Sequence, residues 1–176
     1  VITDDELQLF HVHEGKLSMP HNLKDDFFLS EIPLTVERFS VADLSYNQLT
    51  KFPSCFQLKG LRELVLGYNN LTEFEVTSPM PNLTVLQLPG NSIHSFLSAS
   101  TLRHMPQLQK LELYNNNIAE LSRESCSVLS NLQELNLSFN KLRAIPSELS
   151  HMVQLRKLNL SYNFLVEIPY QIIELT

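Results

Sequence analysis

The sequence has few of the residues on which catalytic and metal-binding motifs depend. Among its 176 residues are two cysteines and four glycines. They form no zinc-binding cysteine pairs, glycine-rich phosphate loop or dinucleotide-binding fingerprint, and no nucleophile elbow is present. Lysine and arginine do not occur in runs, and the net charge is −6 at pH 7. Nucleic-acid binding through phosphates is therefore not expected.

Long apolar stretches are also missing. No segment approaches the roughly 20 apolar residues that cross a bilayer, and "VITDDELQLF" at the start lacks the features of a signal peptide. Membrane insertion is therefore not expected. Because the sequence begins at Val1, we expect it to be part of a longer chain. With 43% hydrophobic and 18% charged residues, it predicts one continuous folded unit.

What the sequence has in abundance is leucine at a regular spacing. "LQELNLSFNKLRAIP" at 132–146 is followed by the similar "LRKLNLSYNFLVEIP" at 155–169. An asparagine recurs with steps of 22, 22, 25, 24 and 23 residues, at Asn47, Asn69, Asn91, Asn116, Asn140 and Asn163. Apolar columns precede it at fixed offsets, the central one being Ala42, Leu64, Leu86, Leu111, Leu135 and Leu158.

Packing explains these columns. In the motif "LxL", two leucines lie two residues apart, so a short strand points both to one face. Each asparagine follows a strand, where its amide can satisfy backbone groups of adjoining turns that would otherwise be buried without partners. A single coil cannot bury its own apolar face. Stacked coils can, with their strands side by side in a parallel sheet.

The sequence therefore resembles the leucine-rich repeat family, whose pattern is L-x-x-L-x-L-x-x-N-x-L. "LRELVLGYNNL", "LTVLQLPGNSI", "LQKLELYNNNI", "LQELNLSFNKL" and "LRKLNLSYNFL" match it, and "FSVADLSYNQL" matches more loosely. The resemblance implies an α/β leucine-rich repeat solenoid. This is a curved right-handed coil with a parallel concave sheet and short helical or extended convex segments.

The spacing predicts six repeats between residues 39 and 176. Their bounds are 39–60, 61–82, 83–107, 108–131, 132–154 and 155–176. Residues 1–38 are predicted to be a degenerate first repeat or an N-terminal cap with an insertion. In the first of these alternatives, "LQLFHVHEGKL" places Leu7, Phe10, Val12 and Leu17 in register, with Gly15 replacing the asparagine. "PYQIIELT" at the other end shows no polar cap, which favours a solenoid that continues in a parent chain.

"HVH" is the best candidate for a metal site. If the degenerate repeat forms, His11 and His13 face the concave side, with Asp43 beside His11 on the next strand. Two imidazoles and a carboxylate could bind a zinc-like ion. Solvated histidines are the preferred interpretation, so no metal or cofactor is predicted. The other histidines of the repeats form no cluster, since His94 and His104 fall in the third predicted repeat and His151 in the fifth.

The two cysteines bear on the cellular compartment. Cys55 and Cys126 are predicted to lie three coils apart in the convex core, about 14 Å from each other. Because a disulfide needs Cα atoms within ~7 Å, they should be unpaired, which favours a reducing, cytoplasmic location. Proline in "KFP", "AIP" and "EIP" resembles the intracellular repeats of Ras-associated and signalling scaffold proteins.

Four glycosylation sequons favour the alternative, an extracellular location. They are "NLT" at Asn70 and Asn82 and "NLS" at Asn136 and Asn159. The repeat pattern generates such triplets by itself, and glycans at Asn136 and Asn159 would stand on the concave sheet. We therefore predict that the sequons are coincidental.

The solvent-facing strand positions are the candidate surface for a protein partner. The predicted contact residues are Val85, Gln87, Lys110, Glu112, Tyr114, Glu134, Asn136 and Lys157. A partly aromatic column lies next to the repeated asparagines, at Tyr46, Tyr68, Gly90, Asn115, Phe139 and Tyr162. Aromatic side chains are enriched in binding hot spots, but these could equally pack along the rim of the solenoid.

These observations predict a function without catalysis. The favoured one is a protein–protein interaction module of a larger signalling or scaffold protein that binds its partner through the concave sheet, with no small-molecule substrate. One alternative is an extracellular ligand-recognition ectodomain. Another is a regulatory segment of a kinase, phosphatase or GTPase whose catalytic domain lies outside these residues.

Overall fold

A computed structural model describes residues 11–13, 15–18, 39–52 and 59–169. Short strands in these residues form one sheet in chain order, β1 to β8. Their bounds are His11–His13, Lys16–Ser18, Val41–Asp43, Glu63–Val65, Val85–Gln87, Lys110–Glu112, Glu134–Asn136 and Lys157–Asn159. Strands β2 to β8 are parallel, as in a leucine-rich repeat solenoid.

The middle residue of each strand from β2 to β7 points into the core. These residues are at most 3% exposed, and they are Leu17, Ala42, Leu64, Leu86, Leu111 and Leu135. Burying one leucine side chain contributes about 1.5–3 kcal/mol. In β8 the equivalent Leu158 is only partly buried, and beyond it Phe164, Val166 and Ile168 are exposed.

Repeat length decides whether the convex segment is helical. The step of 25 residues from Asn91 to Asn116 contains helix α1, Ala99–Arg103, and the next step of 24 contains α2, Arg123–Val128. The step of 23 that follows holds only a 3₁₀ helix, Ser147–His151. Between Asn69 and Asn91, a step of 22, no helix forms. The two or three extra residues in the longer steps therefore allow the convex segment to form a full turn of α-helix.

Serine side chains begin both α-helices. Ser98 Oγ accepts a hydrogen bond from Thr101 N over 3.2 Å, and Ser122 Oγ accepts one from Ser125 N over 3.4 Å. Both serines act as N-caps, satisfying an amide that has no partner within the helix. No helix in the described ranges is long and apolar enough to cross a membrane.

The N-terminal strands correct one prediction. β1 is antiparallel to β2, and it is β2 that pairs with β3, so Ser18 lies opposite Asp43. Gly15, with a φ of 77°, lies at the turn between β1 and β2 instead of replacing a repeat asparagine. His11 is therefore two strand spacings, roughly 10 Å, from Asp43. The prediction that they are neighbours was wrong.

Cys126 lies in the convex core on α2. It is fully buried and unpaired, and burial raises the pKa of its thiol to about 11. The prediction of a free thiol is confirmed for this residue, while Cys55 lies outside the described residues. A buried thiol with a raised pKa is a poor nucleophile, so Cys126 serves packing.

Candidate functional site

The strand register brings the predicted contact residues onto one face. Val85, Lys110, Glu134 and Lys157 form one row of paired positions, and Gln87, Glu112, Asn136 and Asn159 form the next. Tyr114 follows Glu112 by two residues on the same side. The structure thus places all eight predicted residues on one continuous concave surface.

Lysine and glutamate side chains are linked across the C-terminal half of this surface. Lys110 Nζ lies 3.3 Å from Glu112 Oε1 and 3.8 Å from Glu134 Oε2. Lys157 Nζ donates to Glu134 Oε1. That hydrogen bond lowers the pKa of Glu134, and the charge of Lys110 adds to the effect. These half-exposed pairs contribute little to stability, but they fix the charge pattern that a partner would meet.

Glu112 is the least satisfied group on the surface. Its side chain is 16% exposed. Its Oε2 atom is buried and has no hydrogen-bond partner within the described part of the chain. Gln87 on the neighbouring strand instead donates to Glu63 Oε1 over 2.8 Å. A buried carboxylate oxygen without a donor costs free energy.

An open depression of about 420 Å³ lies at the C-terminal end of the concave face. Its lining residues are Glu112, Glu134, Leu135, Asn136, Arg156, Lys157, Leu158 and Asn159. Asn136 and Asn159 are fixed there because each Oδ1 accepts from both the amide and the hydroxyl of a serine, Ser138 or Ser161. The depression is shallow and polar, and suits contact with a protein surface better than enclosure of a small substrate.

No three metal-binding side chains come together among residues 15–18, 39–52 and 59–169. His104 belongs to the third repeat and His151 to the fifth, so these imidazoles do not share a site. Of the proposed trio His11, His13 and Asp43, strand pairing separates the histidines from the carboxylate.

The aromatic column is more organised than the sequence predicts. The rings of Tyr46 and Tyr68 are stacked, with centroids 4.7 Å apart and planes 9° from parallel. Phe139 and Tyr162 form a second stack with centroids 4.2 Å apart. Rim packing, which the sequence left open, is therefore present. All four rings are nevertheless exposed.

Sequence reasoning missed a contact between this column and the concave face. The hydroxyl of Tyr68 lies 3.3 Å from that of Tyr114, two repeats away. This hydrogen bond is the largest cause that raises the pKa of Tyr114 to about 12, and burial and the charge of Glu112 act in the same sense. The one sign of this contact in the sequence is Gly90, which lies between Tyr68 and Tyr114 and interrupts the aromatic column with a residue that has no side chain.

Comparison with known proteins identifies the family. The leucine rich repeat family model matches residues 43–93, 81–142 and 106–165, together more than half of the chain. The protein belongs to the leucine-rich repeat family, whose folds generally serve as interaction scaffolds without catalysis. A curated relative, Ras guanine nucleotide exchange factor V of Dictyostelium discoideum, is 32% identical over 141 residues. That match covers 77% of this chain and 6% of the relative.

Solved structures agree on the fold. A leucine-rich repeat protein of Leptospira interrogans matches with a TM-score of 0.69 and 28% identity, over 89% of this chain and 39% of its own. TLR13, in complex with ssRNA13, matches with a TM-score of 0.72 and 29% identity, over 88% of this chain and 22% of its own.

A third structure is a receptor ectodomain. The leucine-rich repeat ectodomain of the plant receptor kinase GASSHO1/SCHENGEN3 from Arabidopsis thaliana, in complex with CASPARIAN STRIP INTEGRITY FACTOR 2, matches with a TM-score of 0.66 and 31% identity. The match covers 82% of this chain and 18% of that one. This chain therefore spans well under half the length of each of these similar proteins.

Proposed function

We propose that this chain is the protein-binding segment of a larger cytoplasmic signalling protein and has no catalytic activity of its own. The observation that carries the proposal is the concave surface. Seven parallel strands hold its polar, charged and aromatic side chains in a fixed register. Such a preorganised face loses little conformational entropy when it binds a partner.

The similarity to a Ras guanine nucleotide exchange factor supports a regulatory role within signalling. In a protein of that kind, a repeat segment that binds a protein partner would position the exchange domain. The free, buried thiol of Cys126 supports the cytoplasmic location, since unpaired cysteines suit a reducing compartment.

A capture experiment with a charge-matched control tests the concave surface. The test variant carries Lys110→Glu, Glu112→Lys and Tyr114→Ala. The control carries Arg103→Glu and Glu124→Arg, which swaps a convex ion pair of 3.1 Å and likewise leaves the net charge unchanged. Both variants are first shown to be folded by circular dichroism.

The captured proteins are identified and quantified by mass spectrometry. We expect the unmodified chain and the convex control to capture the same proteins from cell lysate. The concave variant should capture at least tenfold less of them. Equal capture by all three chains would show that binding uses another surface, and the proposal would then be wrong.

An extracellular recognition domain is the second candidate, supported by the similarity to a receptor ectodomain and by the exposed sequon at Asn70. Expression behind a secretion signal separates the two. Efficient secretion with glycosidase-sensitive sugar on Asn70 would favour the second candidate. Retention of the chain inside the cell without sugar would favour the cytoplasmic one.

A further inference from the structure

The side-chain amides of Asn136 and Asn159, which we name the amide pair, are held in one orientation on the concave face. Asn136 Oδ1 accepts from Ser138 N over 3.1 Å and from Ser138 Oγ over 2.8 Å. Asn159 Oδ1 accepts in the same way from Ser161, over 3.1 Å and 2.7 Å. Because a backbone N–H can only donate, the atom that faces each serine amide must be the oxygen. The NH₂ group of each asparagine therefore points away from the turn.

The fold does not use the nitrogen of either amide. Within the described ranges, no hydrogen bond joins Nδ2 of Asn136 or Asn159 to another protein group. The first repeat makes the same turn with aspartate, since Asp43 Oδ1 accepts from Ser45 N over 3.0 Å and from Ser45 Oγ over 2.6 Å. The turn therefore needs only the oxygen, and the two NH₂ groups are left to donate to a partner.

The two amides lie side by side in the concave depression. Asn136 and Asn159 are paired positions of β7 and β8, so their Cα atoms are one strand spacing, about 4.8 Å, apart. Both residues line the depression of about 420 Å³. An ionised carboxyl group has two oxygens and only accepts hydrogen bonds. One carboxylate between the two NH₂ groups can therefore accept from both.

The charges around the depression favour an anion, although the net charge of the chain is −6. Arg156 and Lys157 line it together with Glu112 and Glu134, and Lys110 beside both carboxylates adds a third cation. The two carboxylates are already engaged with the lysines. Arg156 takes part in none of the ion pairs found among the described residues. The groups that remain for a ligand are therefore donors, with a cation beside them.

We propose that the amide pair binds a carboxylate side chain, aspartate or glutamate, of an extended acidic segment in the protein partner. The carboxylate oxygens accept from the two NH₂ groups, and the neighbouring cations offset its charge. Hydrogen bonds to an ionised acceptor are roughly twice as strong as neutral ones. A glutamine side chain has one acceptor oxygen and no charge, so it fits the site less well. This inference names the partner chemistry of the proposed protein-binding surface and rests on that proposal.

An NMR titration of the full 176-residue chain tests the amide pair directly. The probes are a nonapeptide Gly-Glu repeat and its Gly-Gln counterpart, both acetylated and amidated so that they carry no terminal carboxylate. We expect the NH₂ signals of Asn136 and Asn159 to shift saturably with the glutamate peptide, with a Kd below about 5 mM. The glutamine peptide should bind at least tenfold more weakly. The NH₂ signal of Asn70, which is exposed outside the sheet, should not move.

Two double variants remove the donors in different ways. Asn136→Asp with Asn159→Asp keeps the oxygen that holds each serine, as Asp43 does in the first repeat. Asn136→Ala with Asn159→Ala adds no charge. Each variant should weaken binding of the glutamate peptide at least tenfold, followed through the backbone amide signals of β8. Circular dichroism shows whether each variant is folded.

A third double variant is the control for net charge. Asn70→Asp with Gln107→Glu adds the same two negative charges at exposed positions outside the sheet. It should change the Kd of the glutamate peptide less than threefold, because charges on the surface more than about 10 Å away are largely screened by salt.

Four results would each overturn the inference: no saturable shift with the glutamate peptide, equal binding of the glutamine peptide, unchanged binding by a folded amide variant, or an equal loss in the charge control. The lysate experiment keeps this failure distinct from failure of the proposed function. Captured proteins that depend on Lys110, Glu112 and Tyr114 but are retained by both amide variants would leave the concave surface as the site and exclude the amide pair.

Discussion

Asn116 and Leu88 connect two adjacent repeats. Asn116 Nδ2 donates to the carbonyl of Leu88 over 2.9 Å and to that of Leu113 over 3.0 Å, and its Oδ1 accepts from Ile93 N over 3.0 Å. The Leu88 carbonyl also accepts from Asn91 of its own repeat. Each buried carbonyl is thus shared by two asparagines. In the predicted asparagine ladder, the bond to the preceding repeat is made by Asn69, Asn91, Asn116, Asn140 and Asn163. Asn47, the first member of the ladder, donates to the carbonyl of Leu44 in its own repeat.

Replacing a ladder asparagine should destabilise the fold most in the middle of the solenoid. Asn116→Leu leaves the buried amide of Ile93 without its acceptor. It also leaves the carbonyls of Leu88 and Leu113 with one asparagine donor each instead of two. We expect a loss of about 2–3 kcal/mol in the free energy of unfolding, measured by urea denaturation. Asn163→Leu is the matched control. It removes the same set of bonds in a part-buried setting, so its cost should be about 1 kcal/mol. Equal losses would contradict the role of burial.

The residue before each ladder asparagine has a left-handed backbone. Its φ lies between 54° and 63° at Tyr46, Tyr68, Gly90, Asn115, Phe139 and Tyr162. This conformation costs most residues about 1–2 kcal/mol, and the hydrogen bonds of the following asparagine stabilise it. Asparagine and glycine tolerate it best.

Asn115→Ala should therefore destabilise the protein by about 1 kcal/mol, although the side chain is exposed. Asn115→Gly should stay within about 0.5 kcal/mol of the unmodified protein, since glycine adopts positive φ without strain. Thermal unfolding of the three proteins provides the comparison. An alanine variant as stable as the glycine variant would show that the turn relaxes away from the left-handed region.

The fold could be predicted from the sequence because the repeat columns specify it redundantly. Loss of one entry, such as Ala42 in the leucine column, does not disturb the register of β3. The choice between helical and extended convex segments was left open. Repeat length decides between them. The 25-residue step that ends at Asn116 has room for α1, whereas the 22-residue step that ends at Asn91 has no room for a helix.

Features that depend on backbone direction or on contacts between distant repeats could not be predicted in this way. The alternation in "HVH" indicates a strand but not its direction, and Gly15 reverses the chain. The Tyr68–Tyr114 contact spans 46 residues and depends on an absent Cβ at Gly90. The concave positions of the predicted contact residues followed from strand register, whereas their role in binding is still a prediction.

Gly90→Ala should disrupt the contact between Tyr68 and Tyr114. The added Cβ overlaps the Tyr68 ring and the backbone keeps a φ of +63°, so we expect a loss of more than about 1 kcal/mol from strain and overlap together. In a Tyr68→Ala background the overlap is absent and only the backbone strain stays. A double-mutant cycle measured by urea unfolding should therefore give a coupling of at least about 0.5 kcal/mol. Additive effects would mean that the ring does not rest on Gly90.

The ionisation of Tyr114 should report the same contact. Its pKa is raised from 10.0 to about 12, mainly by the hydrogen bond with Tyr68. Folding therefore favours the protonated phenol. This contribution to stability is complete below pH 10 and is lost as the pH rises through the folded pKa near 12.

An NMR titration of the Tyr114 ring carbon that bears the hydroxyl, assigned with Tyr114→Phe, measures the shift. Tyr68→Phe removes the first cause, so the pKa of Tyr114 should fall toward 10. Tyr162→Phe removes a tyrosine that does not act on Tyr114 and should leave the Tyr114 titration unchanged. If Tyr68→Phe also left it unchanged, the raised pKa would have to come from burial and Glu112, and the hydroxyl contact would not join the rim to the concave face.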